Sequence, residues 1–113
     1  HLHERGGQSG VEFPIEGGYL DILAKDRDER FVVIELKLSR GRSRTIGQLL
    51  YYMGWIDQYL GGAGSSRGMI IAREITDDLL VATSRVPSVS LFQYRMSVTV
   101  EPVSASNRDQ SRE

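Results

Sequence analysis

Short segments with a repeating hydrophobic pattern divide the first third of the chain into three predicted strands. Residues 11–15 alternate apolar and polar side chains and stop at two glycines, and residues 19–25 resume as a second strand. Residues 31–38 are nearly continuous in branched and aromatic side chains, which indicates a strand covered on both faces. Because a charged turn at residues 26–30 joins the last two segments, we expect the three strands to form an antiparallel meander.

The hydrophobic period changes from two to 3.6 after residue 44, which predicts a helix. Its apolar stripe consists of Ile46, Leu49, Leu50, Met53 and Ile56. A second stripe consists of Gln48, Tyr52, Trp55 and Tyr59, at steps of four, three and four residues. Gly47 and Gly54 share one helix face, where we expect them to permit close packing on the sheet. The helix is predicted to end at Gly61.

The second half of the chain continues the alternation of strands and helices. Residues 69–72 form a short buried run, and Thr76 begins a second helix. Residues 89–94 and 97–103 have the pattern of two further strands. The predicted order is β-β-β-α-β-α-β-β, an α/β fold with a mixed β-sheet flanked by helices. The helix between the third and fourth strands makes those two strands parallel.

The length of 113 residues is sufficient for one hydrophobic core, which we assign to a domain over residues 11–103. The polar residues 1–10 are expected to be a disordered segment or an expression scar, and residues 104–113 a disordered tail. The chain lacks cysteine, which excludes disulfides and thiolate chemistry. No apolar run approaches the roughly 20 residues that span a membrane, and no glycine-rich loop carries the lysine of a nucleotide site. We therefore expect a soluble, cytoplasmic protein without a nucleotide cofactor.

A net charge of -1 gives the chain no general attraction to nucleic acid, so an interface must be argued from local charge. Three arginines, Arg40, Arg42 and Arg44, follow the third strand closely and could bind phosphates through their guanidinium forks. A solvated basic turn is the alternative for this run. Arg73, at the end of the fourth strand, is either a further phosphate contact or part of an exposed ion pair.

Glu35 and Lys37 lie two residues apart in the third strand, so their side chains share one face. The turn at residues 26–30 brings Asp21 opposite residue 34 or 35. Two adjacent carboxylates repel each other, and a divalent cation such as Mg²⁺ or Mn²⁺ relieves that repulsion. Lys37 could then orient a water or neutralise charge on a phosphate. The alternative for Glu35 and Lys37 is an ordinary surface ion pair.

Gln48 and Tyr52 lie one helical turn apart and could form a polar edge of the helix or the rim of a site. With them, the segments GGYLDILAKD, FVVIELKLSRG and IGQLLYYMGWI resemble the PD-(D/E)XK nuclease superfamily. Within it, the chain is similar to the catalytic domain of NucS/EndoMS-type endonucleases over residues 11–103. The resemblance implies a restriction-endonuclease-like core. It also implies that Gln48 and Tyr52 lie at the rim of the site, Gln48 as a catalytic residue that orders the site and Tyr52 as a DNA contact.

The resemblance also implies the chemistry of the third strand. Asp21 and Glu35 would be metal ligands together with the carbonyl of Leu36, and Lys37 would be the catalytic lysine. The implied function is a Mg²⁺- or Mn²⁺-dependent DNA endonuclease that cleaves phosphodiester bonds in mismatched, branched or single-stranded DNA during repair. Because cleavage of both DNA strands needs two such sites, the expected assembly is a homodimer.

One departure from the superfamily pattern leaves a second interpretation open. Members usually have a helix before the first strand that supplies a further acidic residue, and here only Glu4 stands in that region. The chain could therefore be a catalytically inactive module that keeps the nuclease fold for DNA binding or dimerisation. A sequence-specific restriction-type enzyme is a third interpretation, although no recognition element is evident in so short a chain.

Overall fold

A five-stranded sheet with two helices forms the body of the protein, as seen in a computed structural model that describes residues 4–5, 8–16, 18–62 and 64–105. The strands are β1 (Glu4–Arg5), β2 (Gln8–Ser9), β3 (Val11–Ile15), β4 (Gly18–Lys25), β5 (Phe31–Gly41), β6 (Arg67–Ile75) and β7 (Val89–Gln93). The helices are α1 (Arg44–Tyr59) and α2 (Asp77–Thr83). Among the described residues, no helix is long and apolar enough to cross a membrane.

The strands of the main sheet lie in the order β3-β4-β5-β6-β7. β3, β4 and β5 pair antiparallel, whereas β5 with β6 and β6 with β7 pair parallel. The parallel pairs arise because α1 and α2 each carry the chain back to the end of the sheet at which the next strand begins. The predicted meander, the parallel crossover and the α/β class with a mixed sheet are confirmed.

The hydrophobic core lies between the sheet and the helices on one face. Val33, Leu49 and Ile70 are fully buried there. Helix α1 packs tightly against the sheet at Gly68, where an added methyl group would lie 2.7 Å from the sulfur of Met53.

Four positions of α1 differ from the predicted pattern. Leu50 is exposed, and Tyr52 is buried in its place. Gly47 and Gly54 face open space, so the expectation that they permit close packing on the sheet is wrong. The close approach instead uses a glycine of β6, since the bulky residues of α1 need room at the strand that they cover.

The end of β5 and the last predicted strand also differ from prediction, and β6 (Arg67–Ile75) is longer than the predicted run at residues 69–72. β5 extends to Gly41, three residues beyond the predicted end, because its pairing with β6 shifts register between Lys37 and Arg40 and then resumes. A shift of this kind is not visible in hydrophobic periodicity. The predicted last strand at residues 97–103 is not formed, because the described residues 95–101 lie beyond β7 without a neighbouring strand.

The chain ends are described only in part. Within residues 1–10, β1 and β2 pair antiparallel as a small separate sheet. Residues 1–3 and 6–7, and with them part of the predicted N-terminal segment, lie outside the described residues. Residues 106–113, most of the predicted C-terminal tail, also lie outside them.

Candidate active site

A fixed turn sets the register that brings the acidic residues together. The Asp26 carboxylate accepts hydrogen bonds from the backbone N–H groups of Asp28 (2.9 Å) and Arg30 (3.0 Å). The pairs that follow run from Lys25 opposite Phe31 to residue 22 opposite residue 34. Continuing this register by one residue places residue 21 opposite residue 35, so the length of the turn determines which side chains meet.

Asp21, Glu35 and Lys37 converge where β4 meets β5. The Oδ2 atom of Asp21 accepts a hydrogen bond of 2.8 Å from the backbone N–H of Leu36. Glu35 is only 5% exposed, and its Oε1 atom lies 3.2 Å from Nζ of Lys37. The Lys37 side chain is partly exposed, so its ammonium group is accessible from solvent while it contacts a buried carboxyl group.

The surroundings of Glu35 disfavour its negative charge. Burial raises the pKa of Glu35 above its usual value, and the neighbouring charge of Asp21 raises it further. The hydrogen bond from Lys37 acts in the opposite direction. A positive charge placed between the two carboxyl groups would therefore stabilise both of them.

The donor set fits a hard divalent cation. Mg²⁺ prefers oxygen ligands, keeps several waters and is commonly held by one or two carboxylates together with substrate phosphates. Asp21 and Glu35 supply two carboxyl groups at one point of the sheet. Within the described part of the chain, no three acidic or histidine side chains are gathered that could hold a metal. The residues thus fit a cation shared with a phosphate better than one enclosed by protein.

Helix α1 presents the predicted pair of polar residues on adjacent turns. Nε2 of Gln48 donates a hydrogen bond of 2.7 Å to the hydroxyl of Tyr52. Tyr52 is buried in the core, while Gln48 is exposed. The buried tyrosine hydroxyl therefore orients the glutamine amide. A ligand in solvent could contact Gln48 directly, whereas Tyr52 is covered.

A small polar pocket of about 150 Å³ lies beside the lysine. Its lining residues are Lys37, Ser39, Arg40, Arg42, Arg44 and Thr45. Arg40 is also paired with Glu74, at 3.0 Å between Nε and Oε2. The structure thus brings the three predicted arginines together with the lysine, which makes the pocket strongly positive.

Arg73 lies apart from this pocket. It is exposed in β6 and follows Ala72, the residue that pairs with Lys37. Since side chains alternate along a strand, Arg73 projects from the opposite face of the sheet.

Sequence reasoning missed two polar residues near the site. Thr45, in the first turn of α1, is buried and lines the arginine pocket. Glu12 lines a second cavity, of about 310 Å³, together with Asp21. The pairing of residue 11 with 22 and of 13 with 20 brackets Glu12 and Asp21 as cross-strand neighbours. The sequence does not fix this pairing, because the adjacent glycines before β4 permit more than one turn conformation.

Comparison with known proteins gives a family match over most of the chain. Residues 2–85 match the family model of the endonuclease NucS C-terminal domain. The chain belongs to this family. It is 31% identical over 65 residues to Endonuclease NucS of Methanocaldococcus jannaschii, a stretch that covers 58% of this chain and 24% of that protein.

Solved structures share the fold of this NucS-family chain. A repair endonuclease from Pyrococcus abyssi superimposes with a TM-score of 0.65 at 23% identity, over 74% of this chain and 36% of that one. EndoMS in a complex with double-stranded DNA gives a TM-score of 0.61 at 22% identity, over 77% and 36%. At these identities the likeness shows a common fold. The chain spans about a quarter to a third of the length of these relatives.

Proposed function

We propose that this NucS-family domain is the catalytic part of a metal-dependent DNA endonuclease that acts on mismatched, branched or single-stranded DNA in repair. The observation that carries the proposal is the meeting of Asp21 with the buried Glu35, with Lys37 at 3.2 Å. An ion pair that served only stability would not need a second carboxyl group beside a buried one, since that arrangement costs free energy. The names of the relatives, a repair endonuclease and EndoMS in a complex with double-stranded DNA, support DNA as the substrate.

The residues would divide the chemistry between them. Asp21, Glu35 and the carbonyl of Leu36 would hold Mg²⁺ or Mn²⁺. When bound, the cation polarises the phosphate and lowers the pKa of a water that serves as nucleophile. Lys37 is held by Glu35 where its positive charge can offset charge that builds on the phosphate. Gln48, oriented by its hydrogen-bond partner on α1, would position that water or the DNA backbone.

The arginine pocket would hold the DNA on either side of the cleaved bond. Arg42 and Arg44 are exposed and line the same pocket as Lys37, so a phosphate seated there would lie next to the carboxyl pair. Guanidinium groups bind phosphate oxygens bidentately, which fixes the direction of the backbone as well as its distance. Arg40 would exchange its contact with Glu74 for a phosphate.

Metal binding gives the first test. Titration of the purified chain with MnCl₂ in a calorimeter should show a binding isotherm that is lost in Asp21→Ala and in Glu35→Gln. Asp77→Asn is the matched control, because Asp77 is an exposed carboxylate on α2 outside the site. Equal Mn²⁺ affinity in the parent and in both site variants would show that the metal-site assignment is wrong.

A second test separates the endonuclease from a passive nuclease-fold module. This alternative is favoured by one observation, that the described residues gather only two carboxyl groups at the site. Mismatched, branched and single-stranded DNA should each be incubated with the chain and Mn²⁺. Cleavage that disappears in Glu35→Gln identifies the enzyme, whereas DNA binding without cleavage in the parent identifies the passive module.

Assembly and location belong to the same proposal. Cleavage of both strands of a duplex needs two such sites, so we propose that the full-length protein works as a homodimer. A cytoplasmic location is proposed together with this function. Sedimentation of the full-length protein with and without DNA would test the proposed homodimer.

A further inference from the structure

The arginine pocket beside Lys37 lies where β5 ends and α1 begins. The side chains of Arg42 and Arg44 line it and, within the described part of the chain, form no ion pair with a carboxylate. Lys37 and Arg40, in contrast, each contact a glutamate. The pocket therefore holds two guanidinium charges that the fold leaves unbalanced.

The first turn of α1 adds to the positive potential of the pocket. The N-terminus of a helix attracts negative charge, because its first N–H groups point outward. Helix α1 has no acidic residue in its first turn, and the side chain of Ser43 makes no capping hydrogen bond. One carboxylate from α2, that of Asp78, accepts the N–H of Ser43 at 3.3 Å. Arg44 instead places a positive charge at this end of the helix, so an anion in the pocket would stabilise both the helix and the arginine.

Thr45 supplies an uncharged donor to the same pocket. Its side chain is only 5% exposed, and its hydroxyl makes no hydrogen bond to any of the described residues. The described buried polar side-chain atom that lacks both a partner and solvent is Nε1 of Trp55, so the Thr45 hydroxyl is not sealed in the core. Because Thr45 lines the pocket, its hydroxyl is open to a ligand there. Buried polar groups are normally paired, and a ligand oxygen would complete this one.

These donors match the charge of a phosphomonoester better than that of a phosphodiester. A phosphodiester within a strand carries one negative charge. A phosphomonoester at neutral pH carries about -1.5 to -2 and has three acceptor oxygens. Two unpaired guanidinium groups balance the larger charge, and the hydroxyl of Thr45 supplies a donor from a third residue. A volume of about 150 Å³ suits one such group at the end of a strand.

We propose that the arginine pocket binds the phosphomonoester at the end of a DNA strand more tightly than a phosphodiester, through Arg42, Arg44 and Thr45. The inference rests on the proposed endonuclease function, because hydrolysis creates such an end. The oxygen of water bonds to phosphorus, one P–O ester bond breaks, and the leaving oxygen takes a proton. The remaining proton goes to solvent, so the phosphate gains a negative charge when the strand is cut. The pocket therefore retains the phosphorylated strand of the product.

Binding without metal tests this preference, because no strand is then cut. One labelled single-stranded oligonucleotide should be prepared with a 5′-phosphate, with a 3′-phosphate and with hydroxyl groups at both ends. Fluorescence anisotropy with the full chain in EDTA should show at least one phosphorylated form bound about tenfold more tightly than the hydroxyl form. The form that gains affinity identifies the end that the pocket accepts.

Variants of the contact residues assign the preference to the pocket. Arg44→Ala should remove most of the difference between phosphorylated and hydroxyl forms, and Thr45→Val should reduce it to about threefold or less. Thr45→Ser keeps the hydroxyl and should keep the preference. Arg85→Ala, at an exposed arginine beyond α2, is the control and should bind all three forms like the parent.

Equal affinity of the parent for the three forms, or a preference that persists in both Arg44→Ala and Thr45→Val, would overturn the proposal. Arg44 is exposed, so its variant decides the outcome even if Thr45→Val fails to fold. Equal binding of the three forms would leave DNA binding and the metal site intact. A missing Mn²⁺ isotherm would conversely leave the end preference intact, so the two proposals fail separately.

Discussion

At the level of single residues, Glu35 combines a cost in stability with a proposed role in metal binding. It is a buried carboxyl group beside another carboxyl group, which disfavours the folded state in the absence of a cation. Glu35→Gln should therefore leave the unfolding free energy of the metal-free chain unchanged or higher. Mg²⁺ should stabilise the folded parent by about 2.7 kcal/mol when its concentration is 100 times the Kd, and the melting temperature should rise accordingly. Mg²⁺ should have no effect on the variant.

Thermal unfolding with and without MgCl₂ measures both parts of this prediction. Asp77→Asn serves again as the control and should respond to Mg²⁺ like the parent. A large loss of metal-free stability in Glu35→Gln would mean that the contact with Lys37 stabilises the fold more than the carboxyl repulsion destabilises it. In that case, relief of carboxyl repulsion could not be the reason for a cation at this position.

Asp78 should make stability depend on pH at the acidic end. Hydrogen bonds from the Thr76 hydroxyl and from Ser43 lower the pKa of Asp78 to about 2 from its usual 3.8. Because the folded-state pKa is depressed, the stabilisation is present in full above the unfolded value and is lost as pH falls toward 2.

The difference in urea-unfolding free energy between the parent and Asp78→Asn should thus be constant from pH 7 to 5. It should shrink steadily below pH 4. A difference that stayed the same down to pH 3 would show that the carboxylate charge of Asp78 is not what these hydrogen bonds stabilise.

The sequence was sufficient to predict the residues that a regular strand or helix positions. The meeting of Asp21 with Glu35 follows from turn length and strand register, and Gln48 with Tyr52 follows from helical spacing. Glu12 was missed because the glycine-rich turn before β4 leaves the pairing of β3 open. Thr45 was missed because a buried hydroxyl in a first helical turn has the same sequence signal as a cap.

At the level of elements, replacing a glycine should have opposite effects on stability in helix α1 and in strand β6. Gly54 is exposed within α1 and a methyl group there meets no atom within 4 Å, so Gly54→Ala should stabilise the protein by about 0.5–1 kcal/mol through helix propensity. Gly68→Ala should destabilise it by about 1–3 kcal/mol, because Met53 and Leu49 would have to move.

Urea unfolding of the two variants beside the parent gives both values in one experiment. Gly47→Ala is an independent control, since its site is also open and should follow Gly54→Ala. Stabilisation by Gly68→Ala would mean that α1 does not approach β6 as closely as 2.7 Å requires.

Element identity was predictable from periodicity, whereas element ends depended on tertiary contacts. β5 continues past its hydrophobic run because β6 offers partners for Arg40 and Gly41 after the register shift. Residues 95–101 show the reverse case, because their strand pattern has no neighbouring strand within the described chain. Both differences arise because a strand forms only where another strand is available to pair with it.

At the level of the whole molecule, the proposed binding of DNA by a nearly neutral chain requires a local concentration of positive charge. The net charge is -1, yet Lys37 and three arginines line one pocket beside the carboxyl pair. Binding should therefore depend on these few residues more than on the general surface. Each phosphate contact that is removed should lower the slope of log K against log salt by about 0.9 for duplex DNA.

Arg42→Ala should consequently weaken binding to every DNA sequence by a similar factor and reduce the salt slope by about 1, because one phosphate contact disappears. Arg85→Ala is the matched control, an exposed arginine beyond α2 that should change neither quantity. Arg73→Ala should resemble the control, since Arg73 projects from the other face of the sheet. Fluorescence anisotropy with a labelled duplex between about 50 and 200 mM KCl, in Ca²⁺ to prevent cleavage, measures both affinity and slope. If Arg73→Ala changed the slope as much as Arg42→Ala, the DNA would have to extend over both faces of the sheet, and the pocket beside Lys37 would not be its main contact.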